Sequence, residues 1–233
     1  NYLEVVVAPD YEEGAVEVLA RRRNLRIVRI GRIDRIREYA SERFLDFKSL
    51  MDGGIVVQQS PLNRIATAAD FLPAEAPLAG GGKAAVERQP TERELADLLF
   101  GWSVEQGVTS NSVLFVKGEA TVGIGTGEQD RVGVAEIAIH KAYKKRADDI
   151  AFRRHGRLLF EVELAEGRGE MDRGTAAAIR EEAAAEKGGI AGGVAVSDAF
   201  FPKRDGVDVC IAQGVTAIVQ PGGSLNDPEI IEA

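Results

Sequence analysis

Cysteine, histidine and tryptophan are scarce in this sequence. Its 233 residues include one cysteine, Cys210, two histidines, His140 and His155, and one tryptophan. A single cysteine excludes a disulfide within the chain and a zinc site built from several cysteines, and it is typical of a reducing compartment. Neither histidine has a neighbour that marks it as a metal ligand or as the activator of a nucleophile. We therefore expect no metal and no catalytic role for either histidine.

Long hydrophobic runs are also missing. No apolar run approaches the length of a membrane span. The first residues, NYLEVVVAP, lack the basic region followed by a hydrophobic region that an export signal has. We therefore expect a cytoplasmic protein without a membrane anchor.

Basic residues are outnumbered by acidic ones. The chain has 29 Lys and Arg against 37 Asp and Glu, a formal net charge of -8. This balance argues against a general role in binding nucleic acids, because a phosphate backbone needs a local excess of basic side chains. A small anionic ligand stays compatible with it, since one phosphate needs only a few donors. With 45% hydrophobic residues, the chain can form one large or two small domains.

The first part of the chain alternates between strand and helix patterns. LEVVVAP, DYEEGAVEVLARRRN and LRIVRI predict a βαβ unit. Apolar spacing over residues 33–47 predicts another helix, and Gly53-Gly54 marks a turn before the strand IVVQQ. Residues 66–90 are rich in Ala, Pro and Gly and predict a linker. We expect the remainder of a first α/β subdomain over residues 1–65, the linker over 66–90, and a second α/β subdomain over 91–233.

The second half opens with a capping box at Thr91–Glu94, which predicts a helix start. SNSVLFVKGEATVGIGTG predicts two strands joined by a tight turn at residues 117–119. The patterns that follow predict a helix at DRVGVAEIAIHKAYKK, a strand at LLFEVEL, a helix at TAAAIREEAAAEK, a strand at VAVS, a helix over residues 205–213, a strand at TAIVQ and a helix opening in PGGSLNDPEIIEA.

The glycine-rich stretch VGIGTGEQDRVG, residues 122–133, allows two interpretations. Glycines before a helix N-terminus suit a bound anion. The stretch lacks the GxGxxG spacing of a dinucleotide loop, so a plain tight turn is the favoured interpretation.

Two further stretches carry side chains with alternative roles. The amide of Asn111 can donate to a developing oxyanion, or it can bond its own backbone in a turn. In SDAFFPKRDGVD, Phe200 and Phe201 are candidates for the core or for the wall of a pocket. Asp205 can cap the following helix or bind the amino-pyrimidine edge of a ligand.

Five segments, in the same order, resemble the AICAR transformylase domain of the bifunctional enzyme that also carries IMP cyclohydrolase activity. They are LDFKSLMDGGIVVQ, RQPTERELADLLFGW, TSNSVLFVKG, VGIGTGEQDRVG and SDAFFPKRDGVDVCIAQGVTAIVQPGGS. The resemblance does not extend to residues 31–45, to the linker or to residues 144–192. It implies three-layer α/β/α, cytidine-deaminase-like subdomains, no catalytic metal, and an active site formed across a homodimer. We expect a partial chain or a divergent relative.

The resemblance also implies a reaction and a set of site residues. A formyl group would pass from 10-formyltetrahydrofolate to the 5-amino group of AICAR, giving FAICAR in IMP biosynthesis. Asn111 would position the nucleotide and support the tetrahedral intermediate, and Arg131 would lie at the cleft for folate and nucleotide. Phe200 would form a wall beside the imidazole, Asp205 would hold the folate ring, and Lys48 would reach the phosphate.

Departures from the family pattern suggest an alternative function. The family's Lys-His pair has no counterpart in the 233 residues. Glu128, Asp130 and Lys203 stand where the family has Gln, Ser and Phe. The alternative is a non-catalytic module for nucleotide binding or dimerisation, and a more distant one, based on the GxGxG pattern alone, is a dinucleotide-dependent oxidoreductase.

Overall fold

The structure is a computed structural model that describes residues 3–33, 35, 38, 42–60 and 62–233. The chain divides into two compact units, Asn1–Arg64 and Ile65–Ala233.

The first unit combines a βαβ unit with a hairpin. Its elements are β1 (Val5–Ala8), α1 (Ala15–Ala20), β2 (Arg26–Arg29), β3 (Leu45–Ser49) and β4 (Ile55–Gln59). Strands β1 and β2 pair in parallel, and β3 and β4 pair antiparallel. Gly53 in the hairpin turn has φ of 85°, which glycine tolerates because it lacks a Cβ atom. Among the described residues of this unit, none is buried.

The second unit contains a four-stranded sheet in the order β10-β9-β7-β8. Strand β7 runs antiparallel to both of its neighbours, while β9 and β10 are parallel. A separate short hairpin consists of β5 and β6. The elements of the unit are β5 (Glu75–Pro77), β6 (Lys83–Ala85), α2 (Glu92–Glu105), β7 (Ser112–Val116), β8 (Thr121–Thr126), α3 (Arg131–His155), α4 (Leu159–Gly167), α5 (Thr175–Ala185), β9 (Val194–Ser197), α6 (Arg204–Ala212), β10 (Ala217–Val219) and α7 (Asp227–Ile231).

Helices cover both faces of this sheet. Because side chains alternate along a strand, Val113 and Phe115 of β7 point to one face and Leu114 and Val116 to the other. The first pair packs with α3 and α6, and the second pair packs with α2. All four side chains are fully buried. The core of the unit therefore lies on both sides of β7.

Residues 144–192 form a helical extension with its own apolar cluster. The second half of α3 packs with α4 and α5 through Ala147, Ile150, Ala151, Leu159, Val162, Ala176, Ile179 and Ala183. Helix α4 begins where the carboxylate of Glu161 accepts a hydrogen bond from the N–H of Leu158 at 2.7 Å.

Most of the predicted elements are confirmed. The βαβ unit, the hairpin before IVVQQ, the hairpin of β7 and β8, and helices α2, α3, α5 and α6 lie where the sequence predicts them. The capping box is present, since the Thr91 hydroxyl accepts from the N–H of Glu94 and the Glu94 carboxylate accepts from the N–H of Thr91. The α/β class is thus observed, and the proposed subdomain limits stay predictions.

Two local predictions need correction. LLFEVEL forms helix α4 and not a strand, because Leu159, Val162 and Ala165 recur at helical spacing and are buried. The helix predicted over residues 33–47 is wrong at its end, where Leu45–Ser49 forms β3, while positions 34, 36, 37 and 39–41 lie outside the described residues. Residues 66–90 contain the hairpin of β5 and β6 and lie in the second unit, while their assignment as a linker stays a prediction.

Across the described part of the chain, no helix combines the length and the apolar character needed to span a membrane.

Candidate functional site

Polar side chains gather where β7 begins and where β8 and β9 end. Antiparallel pairing places Ser112 opposite the last residue of β8 and brings the start of β7 beside Ser197, the last residue of β9. Asn111 directly precedes β7, and Asp198 directly follows β9. Arg131, the first residue of α3, completes this cluster.

The side chain of Arg131 is held by the backbone and side chains around it, with only 8% of its surface exposed. Its Nη1 donates to the Ser112 carbonyl oxygen and to Ser197 Oγ, each at 3.2 Å, and forms an ion pair with Asp198. Burial alone raises the pKa of Asp198, but hydrogen bonds from Arg131 and from neighbouring serine groups bring that pKa below its ordinary value. Asp198 is therefore ionised at neutral pH and fixes the guanidinium.

Asn111 contacts Arg131 directly. Nη2 of Arg131 donates to Oδ1 of Asn111 at 2.9 Å, and Nδ2 of Asn111 donates to the carbonyl oxygen of Glu128 at 2.9 Å. These two contacts orient the amide with its oxygen toward the guanidinium. An amide nitrogen carries two hydrogens, and Glu128 accepts one of them. The structure brings these two sequence-predicted residues together, while their roles toward a ligand stay predictions.

A second buried acid borders this cluster. Glu105, the last residue of α2, is 4% exposed, and its Oε1 accepts a hydrogen bond from Ser112 Oγ. Its Oε2 has no hydrogen-bond partner among the described residues. Burial raises the pKa of Glu105 to about 7; the hydroxyl of Ser112 and the charge of Arg131 oppose this rise, and Asp198 adds to it.

Glu105 is not among the predicted site residues, although the sequence contains a signal for it. Leu98, Gly101 and Glu105 are all buried and follow one another at intervals of three and four residues. That spacing places all three on one face of a helix. Extending the apolar face of α2 to its last turn would have identified a buried carboxyl group.

Comparison with known proteins identifies the family. The sequence model of the AICARFT/IMPCHase bienzyme matches residues 1–141, which is more than half of the chain. The chain belongs to this family. Two proteins named "Bifunctional purine biosynthesis protein PurH" are similar to it. The one from Magnetococcus marinus is 32% identical over 232 residues, and the one from Xanthomonas euvesicatoria pv. vesicatoria is 33% identical over 233 residues.

The two alignments cover this chain completely but cover only part of each relative. Each alignment includes 100% of this chain, but only 34% and 33% of the respective relatives. The chain thus spans about a third of the length of the curated relatives it matches. The segment that matches the AICARFT/IMPCHase bienzyme includes Lys48, Asn111 and Arg131, and the PurH alignments extend over Phe200 and Asp205 as well.

Lys48 lies in the first unit. It is exposed on β3 and pairs with Val56 of β4. Asn111 and Arg131 belong to the second unit. The contact of Lys48 with a phosphate group stays a prediction.

The two phenylalanines of SDAFFPKRDGVD have different environments. Phe201 is fully buried in the core beside α3 and α6, whereas 39% of Phe200 is exposed. A Cβ atom on Gly206 would lie 2.6 Å from the Phe201 ring, so glycine is needed for this packing. Phe201 is therefore a core residue, and Phe200 is the ring with a surface that a ligand can reach.

Asp205 does not cap helix α6. The N-cap residue is Lys203, and Asp205 lies in the first turn, where its carboxylate accepts from the N–H of Gly206 at 2.8 Å. The predicted cap is wrong because α6 begins at Arg204, which places Asp205 inside the first turn. Asp205 is exposed, and its predicted contact with a folate ring stays a prediction.

The glycines of VGIGTG serve helix packing. A Cβ atom on Gly123 would lie 2.3 Å from the carbonyl oxygen of Ala138, and one on Gly125 would lie 2.0 Å from that of Val134. Both glycines lie in β8, and both oxygens belong to α3. The absence of side chains thus allows α3 to pack closely on the strand. Neither a dinucleotide loop nor a plain turn explains these two positions.

The two histidines and the cysteine do not form a metal site or a reactive nucleophile in the described part of the chain. His140 and His155 are exposed on α3, and the described residues contain no group of three or more His, Cys, Asp or Glu side chains that could hold a metal. Cys210 is fully buried, and burial raises its pKa to about 12. Its thiol is therefore protonated at neutral pH and unreactive.

An open groove of about 420 Å³ lies elsewhere in the second unit, and its lining includes Lys117, Lys145 and Arg146. Arg146 pairs with Asp149 and Glu186, so its positive charge is already compensated. We assign the candidate site to the cluster at Asn111 and Arg131.

Proposed function

We propose that this chain forms part of a cytoplasmic purine-biosynthesis enzyme that transfers a formyl group from 10-formyltetrahydrofolate to the 5-amino group of AICAR, giving FAICAR on the route to IMP. The observation that carries the proposal is the direct contact between Asn111 and Arg131 at one end of the sheet. Both residues lie within the family match, and the PurH names of the relatives support the pathway.

The proposal includes a finer description of the fold. Three-layer α/β/α, cytidine-deaminase-like subdomains are supported by the position of α2 on one face of the sheet and of α3 and α6 on the other. A site where β7 begins is consistent with such layers, because Asn111 and Asp198, which flank the ends of β7 and β9, stay partly exposed.

The chemistry requires alignment and charge stabilisation. The aromatic amine of AICAR is a weak nucleophile, so its nitrogen must be held against the formyl carbon. As the new N–C bond forms, the formyl oxygen becomes an oxyanion and the amine loses a proton to a base. The bond between the formyl carbon and N10 of the folate then breaks, the carbonyl re-forms, and N10 takes up a proton. Tetrahydrofolate and FAICAR are the products.

Asn111 and Arg131 are suited to the early steps of this reaction. The second hydrogen of Asn111 Nδ2 is the donor that we assign to the substrate and the developing oxyanion, since Glu128 accepts the first. Arg131 holds Oδ1 of Asn111 and contributes positive charge near the bound nucleotide. Because Asp198 and Ser197 fix the guanidinium, little reorganisation is needed when charge develops.

The remaining predicted contacts belong to the same proposal. Phe200 forms a wall beside the imidazole, Asp205 holds the folate ring, and Lys48 binds the phosphate. The active site is completed across a homodimer, and the reaction needs no metal.

The alternative is a non-catalytic module for nucleotide binding or dimerisation. One observation favours it: the guanidinium of Arg131 is buried and already bonds the Ser112 carbonyl oxygen, Ser197 and Asp198, as that of a purely structural arginine would. Lys203 is consistent with it as well, since this residue differs from the family pattern and is exposed.

Replacement of Asn111 tests the catalytic role. In the complete gene product that contains this chain, Asn111→Ala is expected to lower turnover about a hundredfold or more, as loss of one oxyanion donor does. Asn24→Ala is the matched control, because Asn24 is an exposed asparagine of the first unit. Formation of FAICAR is followed under saturating substrates; equal turnover of the two variants would refute the role of Asn111.

Ligand binding separates the two functions. Calorimetric titration with AICAR, followed by a formyl-folate analogue in the presence of AICAR, is expected to show two saturable events for the enzyme. AICAR binding without a folate site and without turnover would favour the non-catalytic module.

A further inference from the structure

The Glu105 carboxyl group is a buried acid that borders the candidate site and has no role in the proposed function. It is linked to the candidate site through one residue, Ser112, whose polar groups contact Glu105, Asp198 and Arg131. The Ser112 hydroxyl donates to Glu105, its N–H donates to Asp198 at 3.0 Å, and its carbonyl oxygen accepts from Arg131 at 3.2 Å. Ser112 also directly follows Asn111 in the chain.

Little in the surroundings compensates a charge on Glu105. Its Oε2 has no hydrogen-bond partner among the described residues, and its residue is 4% exposed. It is the last residue of α2, and a helix C-terminus carries a partial negative charge that disfavours a carboxylate. An unpaired buried charge is costly, so the carboxyl group favours its neutral form.

We propose that Glu105 is a positioning residue for the site at Asn111 and Arg131, and that its protonation, acting through Ser112 and the Arg131–Asp198 pair, sets how strongly the site binds an anionic ligand. The proposal rests on the proposed function only in using AICAR as that ligand.

The direction of the effect follows from the charges. Asp198 and Arg131 are the charged groups that act on Glu105. Arg131 stays charged throughout the neutral range, and Asp198 is ionised there, so Glu105 is the member of the cluster that changes. Neutral Glu105 leaves the charge of Arg131 balanced by Asp198 alone. Ionised Glu105 adds a negative charge, so an anion should bind more weakly above pH 7 than below it.

The first test is calorimetric titration of the complete gene product with AICAR from pH 5.5 to 8.5. Wild type is compared with Glu105→Gln, because the ratio of their Kd values cancels the titration of the ligand's own phosphate. We expect this ratio to be near one at pH 6 and the wild type to bind about tenfold more weakly at pH 8.5, as a coupling of one pKa unit gives. A ratio that does not change with pH would overturn the proposal.

Glu94→Gln is the matched control. Glu94 lies on the same helix and is also 4% exposed, but its carboxylate pairs with Arg88 at the opposite end of α2. This variant is expected to follow the wild-type pH dependence of AICAR binding. Loss of the pH dependence in Glu94→Gln would mean that helix α2 as a whole, and not Glu105, sets the effect.

A second readout does not need the ligand. NMR signals of the Ser112 backbone amide and the Asn111 side-chain amide are expected to titrate with a midpoint near pH 7 in the wild type and to lose this transition in Glu105→Gln. If AICAR does not bind at any pH, the proposed function fails, whereas these signals still decide the role of Glu105. The same transition in wild type and in Glu105→Gln would contradict the proposed role of Glu105.

Ser112→Ala tests the connection if Glu105→Gln does not fold. This variant keeps the carboxyl group but removes the hydroxyl that links it to the cluster. We expect the titration of the Asn111 amide to shrink at least several-fold. A full transition at Asn111 would show that Ser112 does not transmit the effect.

Discussion

Similar strand sequences have different environments in the two compact units. Strand β1 in the first unit reads VVVA, and its Val5 and Val7 remain 47% and 48% exposed. Strand β7 in the second unit reads SVLFV, and its Val113 and Phe115 are fully buried. The difference lies in what covers the sheet, since helices pack on both faces of β7. An apolar pattern therefore predicts a strand but does not predict its burial.

The same contrast applies to ion pairs. Arg29 and Asp10 of the first unit form a pair whose side chains are 65% and 72% exposed. Arg131 and Asp198 of the second unit form a pair whose side chains are 8% and 18% exposed. Water screens the first pair strongly and the second pair little. Of these two described pairs, the one that is shielded from water thus lies in the second unit, at the candidate site.

The largest expected effect is on the core. Phe115→Ala should lower the free energy of unfolding of the second unit by about 3–5 kcal/mol, because the lost ring leaves a cavity in a close-packed interior. Phe47→Ala on β3, where the ring is 62% exposed, should change stability by about 0.5 kcal/mol or less. Denaturant unfolding followed by circular dichroism and Trp102 fluorescence measures both. Equal losses of unfolding free energy in Phe115→Ala and Phe47→Ala would contradict the contrast in burial between the two units.

Breaking the two ion pairs gives the next effect. Arg131→Met should destabilise the protein by about 2–4 kcal/mol, because it leaves Asp198 largely desolvated without its partner. Arg29→Met should cost about 0–1 kcal/mol, since its pair is exposed. Denaturant unfolding measures both variants, and repeating it with added salt tests how far each ion pair is screened by solvent. A salt-sensitive loss in Arg131→Met would show that this pair is better solvated than its burial indicates.

The smallest effect is a pH dependence of stability. Glu105 has a pKa of about 7 in the folded protein, raised from 4.5 chiefly by burial. The contribution of Glu105 to the free energy of unfolding is complete below pH 4.5. It is lost as the pH rises through 7, because the folded state binds the proton more tightly than the unfolded state does. Relative to Glu105→Gln, the wild type should therefore lose about 1–3 kcal/mol between pH 5 and pH 8.

Unfolding curves at several pH values test this prediction. Glu17→Gln on α1, with an exposed side chain, is the control and should follow the wild type at every pH. A constant difference between wild type and Glu105→Gln would contradict the assignment of a buried, titrating carboxyl group.

Local patterns were sufficient to predict much of the fold. The capping box at Thr91 and Glu94 and the turn between β7 and β8 depend on residues close in the chain, and both are present. Helix α4 was misread as a strand, because LLFEVEL is rich in apolar residues and its helical period is recognised only when α3 and α5 supply a partner. The exposure of the strands in the first unit could not be predicted either, because it also depends on which elements pack against them.

The candidate site was predictable only in part. The resemblance to a family pointed to Asn111 and Arg131, but it did not show that they bond to each other. Asp198 and Glu105 were missed because their importance comes from contacts between β9, α3 and α2, which are far apart in the sequence. The glycines of β8 looked like a ligand loop, although their small size serves the packing of α3.

Hydrogen exchange of the complete gene product with and without AICAR can locate the nucleotide site. We expect AICAR to slow exchange at residues 111–112, 128–133 and 197–201 of the second unit, and Arg131→Met to remove this protection. Protection confined to other residues, or none at saturating AICAR, would contradict a nucleotide site at Asn111 and Arg131.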